Sequence, residues 1–478
     1  MLGHLIRKEI LEHILGLRFL ILSGIGAVIV WASLFSGYVF YQGCLKEYRR
    51  SQAWTESNYQ HRIKSGDARY AANFGYPVQK PPAPMSIFVR GAEATLGQTV
   101  YLAGVHILRL KFSPAAEDPV LGVFPPLDLA IVVQVVLSLF VVLMTYDAVC
   151  GEKEGGTLRL IFSFPIPRAR LLMGKIVGAL IPMLAALGLP LLVGIGLVLL
   201  LPDVQLKDPE LLRLGLILVA SGLYLAAFVC AGVLGSSLTH RAATSFVILL
   251  FFWVGTVAIL PRLSLIVADM VRVAPSTQRL QAELRTLFEL SNQRRHKLED
   301  EWIEGYFADR GEHWWRSPEG REGFALMRDR VWKGERMVRD PRADQFRANF
   351  RNRYNARLDL AMVLARLSPA FAFNSATLRL AGTGLERHQR FLEIAHQTRD
   401  SQSDWYWRHY MQKALGRADP EKYRKYDWDL SDFPRLVYRE TWPEEDVQAA
   451  MVDIGMLGLW GLVFFVGASV ALLRYDLR

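Results

Sequence analysis

Apolar residues in this chain come in blocks, and each block is long enough to cross a membrane. Windows at 19–41, 127–148, 172–201, 211–236, 244–265 and 450–473 approach or exceed the roughly 20 residues that a helix needs to span about 30 Å of hydrocarbon. Segregation into blocks is also how 51% of the residues can be hydrophobic while 21% are charged; mixed evenly, those fractions would describe a different molecule. The expected fold is mainly α, a polytopic membrane protein with six transmembrane helices.

Basic residues near the ends of the blocks set an orientation. Arg7, Lys8 and Arg18, then Lys153, Arg159, Arg168, Arg170 and Lys175, then Arg241, and finally Arg474 and Arg478 all fall on one side if six spans alternate. That side is read as the cytoplasm. The short loop from Pro202 to Glu210 on the other side sets Lys207 against Asp203, Asp208 and Glu210, as an outer loop would. Both termini then face the cytoplasm, and two polar insertions, 42–126 and 266–448, face outward.

The larger insertion is long enough for a core of its own and reads as mostly helical. After Pro275 and Ser276, Leu280, Leu284, Leu287, Leu298 and Trp302 recur at near-helical spacing as far as Arg310. The smaller insertion reads as mixed α/β. Beyond its Pro-rich break, Met85–Arg90, Thr99–Ala103 and His106–Phe112 are short, rich in Val, Ile, Phe and Tyr, and bounded by Gly and Pro; they read as strands or an interfacial segment. At the other end of the chain, residues 1–18 gather Leu2, Leu5, Ile6, Ile10, Ile14 and Leu17 on one helical face, the pattern of an amphipathic interfacial helix. Its acidic residues and the long apolar run that follows argue against a cleavable signal peptide.

The charged segment 149–171 lies between the second and third spans. Its cluster Glu152-x-Glu154-Gly155-Gly156-Thr157-Leu158, followed by Pro165-x-Pro167-Arg168 and Leu171-Leu-Met-Gly-Lys175, resembles the cytoplasmic coupling segment of ABC-2 type transporter permeases. Lys80-Pro-Pro-Ala-Pro-Met-Ser-Ile-Phe88, Leu127-Asp-Leu129, Leu137-Ser-Leu139, Tyr146-Asp147, Leu380-Ala-Gly-Thr-Gly384 and Leu473-Arg-Tyr-Asp-Leu-Arg478 are similar to the DUF3526-type branch of that family, which carries large extracytoplasmic insertions. Lys8-Glu9 matches a recurrent pair in the family's amphipathic connecting helix.

The resemblance implies a permease subunit in the bacterial cytoplasmic (inner) membrane. Its partners would be an ABC ATPase subunit in two copies, a second permease protomer, the lipid bilayer and an optional extracytoplasmic protein. ATP and Mg would be bound by the ATPase, with no cofactor in this chain. Glu152 and Glu154 would meet basic groups of the ATPase, the Gly155-Gly156 pair would turn the chain, and Thr157 would cap a short helix. Leu158, Leu160 and Ile161 would enter a docking groove.

Motifs for other chemistry are missing from the sequence. Gly174-Lys175 lacks the first Gly and the following hydroxyl of a phosphate loop, so no ATP site is expected here. Neither a His-Glu-x-x-His zinc motif nor a Gly-x-Ser-x-Gly nucleophile turn occurs. His388 and His396 lie eight apart, outside helical ligand spacing, and read as surface or core histidines. The net charge of +10 does not point to nucleic acid, because much of it sits at span ends and the rest alternates with acids, as in Arg294-Arg295-His296-Lys297 before Glu299-Asp300-Glu301.

Cys44, Cys150 and Cys230 offer no disulfide between the outer segments. Aromatic clusters at Trp302, Trp314-Trp315, Trp332 and Trp405-Tyr-Trp407, interleaved with Arg316, Arg321 and Arg408, read first as packing and second as a platform for a lipid, glycan or protein. Within the spans, Pro182, Pro190 and Pro261 permit kinks, while Gly174 with Gly178, and Gly232 with Gly235 and Ser236, permit close helix packing. Three function classes stay open: a subunit of an ABC exporter, an ABC motor acting on an extracytoplasmic partner, and a membrane-anchored enzyme with an outer catalytic domain.

Overall fold

The computed structural model describes residues 2–65, 76–102, 109–111, 127–163, 167–204, 206, 208–273, 276–307, 317–415, 432–438 and 444–475. Six of its helical stretches are long and apolar enough to cross a membrane: Leu17–His61, Leu129–Glu154, Arg168–Leu199, Asp208–Leu238, Ala242–Val271 and Glu444–Leu473. The protein is a mainly α, multi-pass membrane protein.

Helix α1 (Leu2–Ile14) ends at a short break, and α2 (Leu17–Ser65) begins at once. With 49 residues, α2 is about 70 Å long at 1.5 Å per residue, far more than the hydrocarbon needs. Its second half stands beyond the bilayer as a stalk, so the smaller insertion begins as helix rather than loop. The stalk supports a three-stranded antiparallel sheet, β1 (Tyr76–Gln79), β2 (Thr99–Leu102) and β3 (Arg109–Lys111), in the order β1-β2-β3. Register pairs Val78 with Val100 and Tyr101 with Arg109.

Of the two readings of Met85–Arg90, strand or interfacial segment, the strand does not hold. Pro84–Ile87 forms a 3₁₀ turn, and Met85, Ile87 and Phe88 are fully buried in the same core as the spans. Pro84 at the first turn fixes φ for a helical start, and the Phe88 carbonyl then accepts from the Leu129 amide at 3.0 Å. The expected strand at 99–103 is β2, with Ala103 outside the described residues; of His106–Phe112 only 109–111 is described, as β3.

The second span opens with Leu129–Ile131, runs through a π-helical stretch Val132–Leu137, and continues as α3 (Ser138–Thr145). Helices α4 (Cys150–Glu154) and α5 (Thr157–Ser163) form the charged hairpin, followed by α6 (Arg168–Leu199) and α7 (Asp208–Leu238). The fifth span is α8 (Ala242–Val254), a π-helical stretch Gly255–Ile259, and α9 (Leu260–Val271). A π turn leaves a carbonyl without its usual intrahelical donor, and both π stretches pass one to a side chain. Tyr224 Oη donates to the Gln134 carbonyl at 2.8 Å, and Ser368 Oγ donates to the Thr256 carbonyl.

The larger insertion contains α10 (Thr277–Phe307), α11 (Pro318–Met327), α12 (Lys333–Ala365), α13 (Pro369–Ala381) and α14 (Leu385–Leu415), and the chain returns through α15 (Glu444–Leu473). The Ser276 hydroxyl accepts from the Arg279 amide at 3.2 Å, so the helix start read from the sequence holds. Helix α13 is capped at both ends: Ser368 accepts from the Phe371 amide, Pro369 occupies the first turn, and Gly382 closes it in the left-handed region at φ 63°. Its Phe373, Ala376 and Leu380 are fully buried, with Phe373 stacked 4.7 Å from Tyr224 of α7.

The two insertions meet at Gly91. Its φ is +52°, and a Cβ there would lie 2.3 Å from Leu378 and 2.8 Å from the Thr383 carbonyl, so only glycine fits. The Ala92 amide donates to that same carbonyl at 2.9 Å. Beneath this contact Glu93 is buried between Lys80, at 2.9 Å, and Arg387, at 2.5 Å, which fastens the start of α14 to the smaller insertion.

Of the aromatic cluster, Trp405 is buried, donates to Asp432 at 2.9 Å and packs edge-on to Phe433. Trp332 donates to Glu299 with Arg295 over its ring at 4.5 Å. For these two, packing is the role observed. Trp314, Trp315 and Arg316 lie outside the described residues, as do the side chains of Tyr406, Trp407 and Arg321.

Candidate functional site

The hairpin between the second and third spans and the residues that flank it, from Tyr146 to Arg168, make polar bonds to each of the other spans. Before it, Asp147 accepts from Arg18 at the start of α2 at 3.0 Å, and Tyr146 accepts from the same guanidinium at 2.9 Å. The Val149 and Cys150 amides both donate to Ser236 Oγ of α7 at 2.9 Å. Lys153 donates to the carbonyls of Ser237 and Thr239, the latter at 2.9 Å. A cation there satisfies carbonyls that the end of α7 leaves without donors.

Glu152 faces inward. Its carboxylate lies 2.8 Å from Lys175 of α6, and Lys175 also meets Glu9 of α1 at 3.2 Å. Lys175 is 3% exposed, Glu9 9% and Glu152 17% at the side chain, so one buried cation is shared by two carboxylates. Helix α1 reaches this position because α6 offers it a groove. A Cβ on Gly174 would lie 2.0 Å from Leu5, and one on Gly178 would lie 2.5 Å from Glu9. The close packing expected of these glycines is therefore packing against α1. Gly232 has the same relation to Thr145, at 1.9 Å, and Gly235 to Leu249, at 2.7 Å.

Glu154 is exposed and accepts from the Ala242 amide, the first residue of α8, at 3.1 Å, where a carboxylate complements the helix dipole. Gly155 and Gly156 form the turn, and Gly156 has φ +72°. Thr157 donates to the Glu152 carbonyl at 3.4 Å. The expected apolar face divides: Leu158 is buried, Ile161 packs partly against the same core, and Leu160 is 65% exposed. Pro165 lies outside the described residues, while Pro167 is the extended residue before α6. Arg168 donates to the carbonyls of Leu472, Leu473 and Tyr475, at 3.0, 2.7 and 3.3 Å, and so caps α15. Lys8 stays exposed, 3.9 Å from Glu12.

A hairpin bonded in this way is joined to the ends of the other spans, while its tip exposes Gly155, Gly156, Thr157, Arg159 and Leu160 and turns only Leu158 into the core. The model for ABC-2 family transporter proteins matches residues 4–299, well over half the chain. The chain belongs to the ABC-2 transporter family. A second match, to the domain of unknown function DUF3526, covers residues 332–433, from the end of the π turn before α12 to the segment after α14.

Among curated proteins, the chain is similar to the probable ABC transporter permease protein NosY of Stutzerimonas stutzeri, 43% identical over 51 residues, which is 11% of this chain and 18% of that protein. The protein of the same name from Pseudomonas aeruginosa is 48% identical over 42 residues, 9% of this chain and 15% of that one. The chain thus matches less than a fifth of the length of either relative.

The family resemblance directs Glu152 toward an ATPase, and nothing in the sequence links Lys175 or Glu9 to it. Ion pairs between residues so distant in sequence leave no local spacing to read. In the sequence Lys153 reads as an orientation signal and Arg168 as both an orientation signal and part of the coupling segment; their capping of α7 and α15 has no local pattern to announce it.

Proposed function

We propose that this chain is the permease subunit of an ABC transporter, coupling ATP hydrolysis by two separate ATPase subunits to export or extrusion across the bacterial cytoplasmic membrane. The observation that carries the reading is the reach of the hairpin and its flanks: between Tyr146 and Arg168 polar groups bond to each of the other five spans, and Glu152 reaches Glu9 of α1 through Lys175. Under this reading the hairpin end is cytoplasmic and both insertions lie on the far side. The tip meets the ATPase through exposed Leu160, flanked by Thr157 and Arg159, a short apolar knob with a polar rim.

Closure of the ATPases on ATP and Mg displaces the tip. Because Glu152 holds Lys175 and Lys175 holds Glu9, α1 and the start of α6 move with it. Arg168 and Lys153 carry the same displacement to the ends of α15 and α7.

The second reading, a motor acting on an extracytoplasmic partner, is favoured by α13. This helix fills the far end of the bundle with Phe373, Ala376 and Leu380 between α7 and α15, and so ties the larger insertion to the spans. Leu160→Asp separates docking from folding. Because Leu160 is 65% exposed, the variant should keep its thermal unfolding temperature and lose at least about tenfold in co-purification with the ATPase, as expected when a charge enters an apolar anchor pocket. Undiminished co-purification would contradict the docking face.

A further inference from the structure

The outward face of α2 changes chemistry partway along one stripe. Ile21, Ile25, Val28, Phe35 and Val39 are between 46% and 70% exposed. The same face continues through Gly43, Lys46, Arg49, Arg50 and Ala53, all exposed. Steps of three, four and seven residues keep these positions on one side of the helix. From Ile21 to Val39 the stripe is about 27 Å long, close to the hydrocarbon thickness, and Lys46 follows about 10 Å further on. The cations therefore stand at the depth of the headgroups.

Around them, Gln42, Gly43, Lys46, Arg49, Arg50 and Ala53 line a shallow hollow of about 640 Å³. Nothing lies within 4 Å of where a Gly43 Cβ would be, so its floor is open. Asp203 answers part of the charge, 3.4 Å from Arg49. Lys46 and Arg50 have no ion pair with any other described residue, and Glu47 lies about 100° round the helix from Lys46. Under the orientation proposed above this is the side on which Lys and Arg are not favoured near span ends, so the cluster needs a ligand to explain it.

We propose that this hollow holds the phosphodiester headgroup of an anionic phospholipid, with the acyl chains lying along the stripe from Val28 to Val39. Arg50 offers a planar fork and Lys46 a point charge, the pair of donors that suits a phosphate. A second copy of the chain is a poorer occupant, because a twofold contact on this stripe would bring Lys46 and Arg50 against their own counterparts.

The test uses the full chain released from nanodiscs of equal parts phosphatidylglycerol and phosphatidylcholine, read by native mass spectrometry. Phosphatidylglycerol should be retained preferentially. The double substitution Lys46→Gln with Arg50→Gln should lower its retention roughly 30-fold, from about a fivefold effect per cation near a lipid surface, whereas Lys46→Arg should preserve it. Equal retention of the two lipids, or retention unchanged in the double variant, would overturn the proposal. So would displacement of phosphatidylglycerol by millimolar inorganic phosphate, which would make the ligand a free anion, or high-yield cross-linking between chains through a cysteine at Val39, which would make it a second copy.

Discussion

Lys175 and Asp453 sit near opposite ends of the bundle and are each buried between two opposite charges, yet the two arrangements differ in what surrounds them. Lys175 is shared by Glu9 and Glu152, all three largely shielded. Asp453, 0% exposed, is shared by Arg366 at 2.9 Å and Arg379 at 3.2 Å, whose side chains are 28% and 12% exposed, and it also accepts from Ser375 at 2.7 Å. The first cluster ties together α1, the hairpin and α6, which the chain alone would leave free to part. The second ties α15 to α13 and the residue that follows α12. A buried charge with two partners is costly to disturb in proportion to how little water its partners can recover, so the hairpin cluster should be the stiffer joint.

Lys175→Met breaks the comparison most severely, because it leaves two carboxylates facing each other without a cation. The expected loss is about 3–5 kcal/mol, read as a fall in the thermal unfolding temperature in detergent, and neutralising the partners as well, with Glu9→Gln and Glu152→Gln, should restore most of it. Asp453→Ala should cost less, about 2–3 kcal/mol, since Arg366 and Arg379 can turn toward water. If the two single variants lose the same stability, partner exposure is not what distinguishes the joints.

Smaller still is the effect of pH. Burial is the main reason that His13 at the hairpin end, and His388 and His396 in the larger insertion, bind a proton more weakly than the usual 6.5; Lys80 adds to this at His388, while Glu93 opposes it. A base whose folded pKa is lowered costs nothing at high pH. As pH falls below 6.5 the unfolded chain takes up protons first, so stability is lost until the folded pKa is passed. The unfolding temperature should therefore begin to drop near pH 6.5, and less steeply in the variant His388→Gln with His396→Gln. An unchanged profile in that variant would assign the drop to His13 and the hairpin end.

The sequence revealed the spans because nothing but a bilayer suits apolar runs of that length. It revealed the close approach at Gly174, Gly178, Gly232 and Gly235, though not the side chains that fill the space. The stalk of α2 is not marked by hydropathy, because the end of an apolar run marks the end of the hydrocarbon rather than of the helix; residues 44–65 contain no Pro or Gly to stop it. Helix α13 had readable signals, Ser368-Pro369 before it and Gly382 after it, but its burial depends on Tyr224 and on a π turn that no local pattern announces. Glu152 was legible as a charge at a hinge. Its inward direction depends on Lys175 and on a glycine groove that admits α1.

The central claim is that displacement of the hairpin reaches the spans through the Lys175 cluster. The direct measurement is made on the assembled complex with its ATPase, comparing the unmodified protein with the variant Glu9→Gln, Glu152→Gln and Lys175→Met. A cysteine at Leu367, which is 56% exposed on the far side of the bundle, reports ATP-driven changes in labelling rate. The account predicts that the variant folds, assembles and hydrolyses ATP while the labelling rate at position 367 responds much less to ATP, the remainder being carried by Arg168 and Lys153. An ATP-dependent change of the same size in both proteins would contradict it.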